Sequence, residues 1–340
     1  MPSLHDPYIQ GSLENSVFVW EAEELSYFLT SKTADLEFDW RNKPAAIVIS
    51  DPHKLNEESC RILKNMMVVS IGLVEEGETP KTTDVLATSK KSLETLLASI
   101  SANPIAAVTC CQVLRETEAF STSGALLLES VAYGTLHSGS EFKTWLGKRG
   151  RRVRPNETEP PILISFKKEH VELKLNRPRL KNAYSAAMRN SLVEALRGLA
   201  TSGDQRLIRI TGSGSTFCAG GDPAEFGTVE DPAVGHMLRS KGNAAPWLAE
   251  LSERITVEIS GGAVGAGIEL AAFASRIEAT RDAWFSLPEI KMGLIPGAGG
   301  TVSIPKRIGR QRTAWMFLTG ERINATTALE WGLIDALAIS

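Results

Sequence analysis

Residues 254–275 read "RITVEISGGAVGAGIELAAFAS". Ile255, Val257 and Ile259 alternate with polar residues, which predicts a half-buried strand. Four glycines follow within seven residues, at 261, 262, 265 and 267. Behind them "AGIELAAFA" has the composition of a helix, with Glu269 one turn in. A strand passed through glycines into a helix start leaves backbone amides without intrahelical partners, at the end of the helix that favours negative charge. The stretch therefore predicts an α/β fold with a built-in place for an anion or a developing oxyanion.

The same alternation continues on both sides. "PILISFKKEHVELKLNRP" (161–178) contains two runs, Ile162–Phe166 and Val171–Leu175, around the turn "KKEH", and reads as a hairpin. "SAAMRNSLVEALRGLA" (185–200) is an amphipathic helix with Ser185 as its N-cap and Met188, Leu192, Ala195 and Leu196 on one face. "RLIRITGSG" (206–214) is a buried strand, and "WFSLPEI" (284–290) is another short one. "GTVSIPKRIG" and "RQRTAWMFLTG" read as helices. "NATTALEWGLID" is a helix capped by Asn324 and stopped at Gly332. Strands alternating with helices imply an α/β layout for residues 162–340. Residues 151–161 have linker composition, and residues 1–150 form a separate, mainly helical domain in which "AAIVIS" is the one candidate strand.

Composition narrows the function classes. The chain has 340 residues, 43% hydrophobic and 23% charged, with a net charge of −3. That balance argues against a general affinity for nucleic acid or membrane surfaces. No apolar run reaches the roughly 18–20 residues that span a bilayer, and the N-terminal residues lack a signal-peptide pattern. Cys60, Cys110, Cys111 and Cys218 have neither zinc spacing nor a disulfide pattern, so a reducing cytoplasm and no metal are expected. Lys148, Arg149, Arg151, Arg152 and Arg154 form a basic run that reads as a solvated linker, with an anion or nucleic-acid patch as the alternative.

The chemistry gathers in three places. "STFCAGGD" (215–222) packs small residues after a buried strand, so a ligand can approach the backbone. "GGAVGAGIELA" opens a helix, and amides from these two loops are placed to hold one oxyanion. In "LPEIKMGLIPGAGGT" (287–301), Glu289 precedes a glycine turn that lacks the Lys-Ser/Thr of a nucleotide P-loop. Two acids beside an oxyanion site suit general acid–base chemistry next to a thioester carbonyl. Cys218 reads as a small buried thiol, and Asp222 as a residue that fixes its loop.

With "LKLNRPRLKNAYSAAM", "GSTFCAGGDPAEF", "GGAVGAGIELAAFAS", "LPEIKMGLIPGAGGT" and "LTGERINATTALEWGLID" in this order, residues 162–338 resemble the enoyl-CoA hydratase/isomerase (crotonase) superfamily. The resemblance implies a spiral of ββα units, a homo-oligomer (trimer or hexamer), an acyl-CoA thioester substrate, and no cofactor beyond the coenzyme A of that substrate. It places the oxyanion-hole amides at Gly221 and Ala266, where the family often has Gly at the second position. It places the two hydratase acids at Glu269 and Glu289, and contacts to coenzyme A around Ala183, Ala219, Gly221 and Arg179. Both acids being present resembles members that add water across a conjugated double bond. Isomerase, thioester or C–C hydrolase, and cofactor-independent arylacetyl-CoA dioxygenase are the alternatives within the superfamily. The dioxygenase branch has Gln where this chain has Glu269. A non-enzymatic homologue binding nucleic acid or protein is the remaining one.

Residues 71–114 and 126–149 in turn resemble the family's stretch after its "GL(V/I)D" point and its closing helices. The expectation is that this N-terminal segment roofs the active site, and its lying far from Glu269 and Glu289 would refute that.

Overall fold

The computed structural model describes residues 17–30, 45–75, 77, 79–150 and 158–338. The first unit of the chain is β1 (Val17–Glu21), α1 (Ala22–Thr30), β2 (Ala46–Ser50), α2 (Glu57–Asn65), β3 (Val69–Leu73) and β4 (Val85–Ala87). These strands form one parallel sheet in the order β1-β2-β3-β4. In β2, Ile47 and Ile49 pack with Trp20, Leu25 and Leu63 on one face, while Ala46 and Val48 join the main core on the other. A parallel strand buried on both faces reads as a continuous apolar run rather than an alternating one. Short runs of that kind cannot be told from buried helix by periodicity. For this reason the sequence offered only "AAIVIS" as a strand in this unit: β1, β3 and β4 accompany it in a four-stranded sheet, α1 and α2 lie between its strands, and the longer helices follow β4.

Those helices are α3 (Lys90–Ala102), α4 (Pro104–Thr117), α5 (Thr122–His137) and α6 (Ser140–Arg149). Lys148 and Arg149, placed in the linker region by composition, are the last turn of α6. Residues 151–157, with most of the expected linker and Arg151, Arg152 and Arg154, lie outside the described residues. Among those described, no single helix is long and apolar enough to cross a membrane; α3 and α4 reach that length and composition only as a pair, bent by 108°.

The second unit begins with the hairpin β5 (Ile162–Phe166) and β6 (His170–Leu175), followed by α7 (Ala186–Thr201) and β7 (Leu207–Gly212). Ser185 caps α7 by accepting the Met188 amide, and Met188, Leu192 and Leu196 are its buried face. Next come α8 (Pro232–Gly242), α9 (Ala245–Glu250), β8 (Ile255–Ile259), β9 (Gly262–Val264), α10 (Ala266–Ala271), β10 (Arg276–Ala279) and β11 (Trp284–Ser286). The chain continues through α11 (Gly300–Ile308), α12 (Arg310–Thr319), β12 (Ile323–Asn324), α13 (Ala325–Trp331) and β13 (Ala336–Leu337). One sheet runs β13-β10-β8-β7-β6-β5 and a smaller one β12-β11-β9. The chain thus steps from the large sheet to the small one between β8 and β9, and again between β10 and β11. The first step turns at Gly261 and the second through residues 280–283, where the Ala283 amide donates to Thr280 O, and the second sheet carries the chain to the site.

One apolar core joins both units. Leu96, Cys110, Leu114 and Phe142 of the N-terminal helices belong to the same buried cluster as Val171, Ile268 and Phe317.

Candidate active site

Helix α10 starts where β9 ends, and Gly265 makes the turn between them at φ 48°. A side chain is excluded there twice: by the positive φ, and because a Cβ would meet Glu289 Oε1. Ala266 follows as the first helical residue. Its amide and that of Gly221 find no acceptor among the described residues, and both residues line one cavity. The 215–222 loop is fixed from behind. Tyr184 and Gly221 form a β-bridge. The Tyr184 amide donates to Gly220 O at 2.7 Å, and the Asp222 amide donates to Tyr184 O at 3.0 Å. Asp222 is bound by buried Arg177 at 2.7 Å and accepts the Ala224 amide at 2.9 Å. Its carboxylate therefore fixes the loop, as expected from sequence.

The cavity has a volume of about 410 Å³. Ala219, Gly221, Ala266, Glu269 and Glu289 line it together. Arg179 does not line it; it sits exposed on the 3-10 turn Pro178–Leu180. Ala183 is buried next to the cavity residue Tyr184 rather than in the lining. From the N-terminal helices, Tyr133, His137, Trp145 and Arg149 contribute to the wall. Arg149 donates to Pro223 O at 2.7 Å and lies over the Trp145 ring. Trp145 in turn meets Phe226 edge-on at 5.7 Å.

Three buried carboxyl groups stand around the glycine turn: Glu129 of α5 (1% exposed), Glu269 (2%) and Glu289 (7%). Glu269 Oε2 accepts the Ala298 amide at 2.7 Å and the Gly300 amide at 3.0 Å. Glu129 accepts the Gly299 amide at 2.8 Å, the Thr301 amide at 3.0 Å and the Thr301 hydroxyl at 2.7 Å. Glu289 begins a 3-10 turn after Pro288, and its Oε2 is buried without a partner among the described residues.

Burial, then the charges of Glu289 and Glu129, push Glu269 well above the usual carboxylate range; its two amide donors pull the other way. Burial likewise lifts Glu129 to about 7 against its three donors. It lifts Glu289 to about 8. Three acids packed this closely do not all ionise, and hydrogen-bond donors favour the charged form. Two of the three receive such donors from the turn. The donors on Glu269 favour its charged form, whereas Glu289 Oε2 has no donor among the described residues to oppose its burial, so the two acids of the cavity stand in unlike environments. Cys218 is buried, with its thiol pushed up to about 12, and is inert at neutral pH.

Glu129, Tyr133 and Arg177 escaped the reading of the sequence as functional residues. A signal for Glu129 existed: it is the only charge in "GALLLESVAYG", a stretch otherwise apolar or small.

A spiral of strand–strand–helix units thus presents two amides without acceptors among the described residues and two differently bonded acids to one cavity. The sequence pattern of the family described as Enoyl-CoA hydratase/isomerase matches residues 166–338, half of the chain. The chain is 34% identical to the 2,3-dehydroadipyl-CoA hydratase of Escherichia coli K12, over 51% of this chain and 68% of that protein. It is also 34% identical to the 1,2-epoxyphenylacetyl-CoA isomerase of the same organism, with the same two shares. The solved enoyl-CoA hydratase of Thermoplasma volcanium GSS1 superposes with a TM-score of 0.50 and 31% identity, covering 53% of this chain and 72% of that one. This chain belongs to the enoyl-CoA hydratase/isomerase family and is an enzyme of that class.

Proposed function

We propose that the chain is an enoyl-CoA hydratase, adding water across the 2,3 double bond of an acyl-CoA thioester. The observation that carries this reading is the contrast between the two acids on one cavity. Glu269 is held by two amides, whereas Glu289 keeps an oxygen without a donor. Water held between them attacks the β-carbon as Glu269 takes its proton. The electron pair of the double bond moves towards the thioester oxygen, where the amides of Gly221 and Ala266 receive the charge. Glu289 then gives its proton to the α-carbon, and the proton on Glu269 returns to Glu289 to close the cycle. Water is consumed whole, so no further cofactor enters. In this reading α4–α6 take the place of the family's closing helices, with Tyr133, His137 and Trp145 shaping the acyl end of the cavity.

Isomerisation of the double bond is the second reading. A protonated Glu289 facing the oxyanion site suits a proton shuttle between two carbons, and one of the relatives is named as an isomerase.

Hydration of crotonyl-CoA, followed by loss of the enoyl absorbance, tests the first reading. Glu269→Gln and Glu289→Gln are each expected to lower turnover by at least about 100-fold, the scale of a lost acid–base group. Unchanged turnover in either variant rejects the paired mechanism. Loss in Glu289→Gln alone, with double-bond migration in the wild type, selects the isomerase.

A further inference from the structure

Four consecutive amides open helix α11, at Ala298, Gly299, Gly300 and Thr301. They are shared alternately: the first and third go to Glu269, and the second and fourth to Glu129. Glu129 does not line the cavity. It comes from α5, 140 residues before Glu269, and reaches the same turn. No side chain fits between the turn and Glu269, since a Cβ at Gly300 would approach Glu269 Cγ to 2.5 Å. The turn is thus clamped between two carboxylates, and moving either one releases the other's donors.

We propose that Glu129 is a positioning residue for the reaction: by holding the glycine turn, it aims Glu269 and sets where the proton resides in the Glu269–Glu289 pair. The inference rests on the hydratase reading for its kinetic consequence, but its physical content does not.

The charge environment has the sign this role requires. Glu129 faces Glu269 from α10, Glu289 from the 3-10 turn, Arg239 from α8, Tyr133 from its own helix and Cys110 from α4. Its negative charge raises both Glu269 and Glu289. Arg239, fixed over the Tyr133 ring at 4.6 Å and donating to Ser130 O at 3.1 Å, partly offsets that charge. An ionised Glu129 therefore keeps a proton on the pair at neutral pH while freeing the amides of Ala298 and Gly300 for Glu269 alone.

The test is Glu129→Gln, which keeps the shape, removes the charge and turns one acceptor into a donor. With crotonyl-CoA, kcat is expected to fall about 100-fold, the scale of an ångström-level misplacement, while KM changes little. Both limbs of the pH–rate profile should move to lower pH. A readout independent of catalysis is the infrared band of the protonated carboxyl group in the substrate-free protein. It should disappear around pH 8 in the wild type and at lower pH in Glu129→Gln. Thr301→Val removes one donor from Glu129 and leaves both donors of Glu269 in place. It covers the case in which Glu129→Gln does not fold, and is expected to lower kcat several-fold and to shift the infrared titration of the pair to lower pH, by less than Glu129→Gln does. A fall in kcat with both pH limbs unmoved, or an infrared midpoint unchanged in the variants, overturns the proposal. If the wild type hydrates no enoyl-CoA, the functional reading fails by itself and the infrared titration still decides the role of Glu129.

Discussion

A carboxyl group buried at 7% exposure with an unpartnered oxygen has a thermodynamic signature of its own. Glu289 is lifted from an ordinary 4.5 to about 8 in the folded protein. Between those values the folded state holds a proton that the unfolded chain has released. Stability linked to this group is therefore full below about 4.5 and is lost as pH rises through about 8. The melting temperature is expected to fall between about pH 5 and about pH 9, and Glu289→Gln should flatten that slope. Calorimetry across the range checks both; an equal slope in the variant would show that Glu289 is not the buried proton carrier. Glu269 and Glu289 were both legible as candidate acids, because the residues around them carry the family pattern. Their division of labour was not, since it depends on which backbone amides point at which oxygen. Ala298 is 29 residues away from Glu269, and sequence spacing says nothing about that contact.

Among the elements, the N-terminal helices are tied to the catalytic unit by polar contacts as well as by packing. Glu141 of α6 accepts the Ile105 and Ala106 amides at 2.7 and 3.0 Å, satisfying the start of α4 after Pro104. Asp84, at the entrance to β4, is buried and bound by Arg115 of α4 at 2.6 Å and by Arg310 of α12 at 2.9 Å. It also accepts from the amide and hydroxyl of Ser70. One carboxylate thus joins the N-terminal sheet, an N-terminal helix and the second unit. Removing one member of such a cluster leaves buried charge uncompensated. Asp84→Ala is expected to cost about 3–5 kcal/mol in unfolding free energy, measured by urea titration. A loss below about 1 kcal/mol, the value for exposed pairs, would show that Arg115 and Arg310 are served elsewhere. Helix ends were legible from sequence where a side chain caps them locally: Ser185 holds the Met188 amide, Asn324 holds the Thr327 amide, and Gly332 ends α13 at φ 82°. The strands β1, β3 and β4 were not, because neighbouring strands rather than their own pattern make them strands.

For the molecule as a whole, the shared core decides how it folds. Phe142 and Leu114 of the N-terminal helices pack in the same cluster as Ile268 and Phe317, and Tyr133 fills the space beside Gly297 where a Cβ would clash. A chain beginning at Thr158 loses that half of the core and uncovers the carboxylate cluster. It is expected to show no cooperative melt by circular dichroism and to bind an apolar dye, because exposed core surface destabilises at roughly 25 cal/mol per Å². A sharp thermal transition in that shortened chain would show that residues 158–340 are self-sufficient. The sequence by itself determined the alternation of strand, glycine turn and helix, the family, the candidate amides at Gly221 and Ala266, and the pair Glu269 and Glu289, because each is written in a local run of residue types. Only the tertiary structure brought Glu129 to the same turn, left Arg179 outside the cavity and picked Tyr133, His137 and Trp145 as residues of its wall. Those outcomes follow from burial and hydrogen-bond pairing between segments more than a hundred residues apart, and no local pattern encodes them.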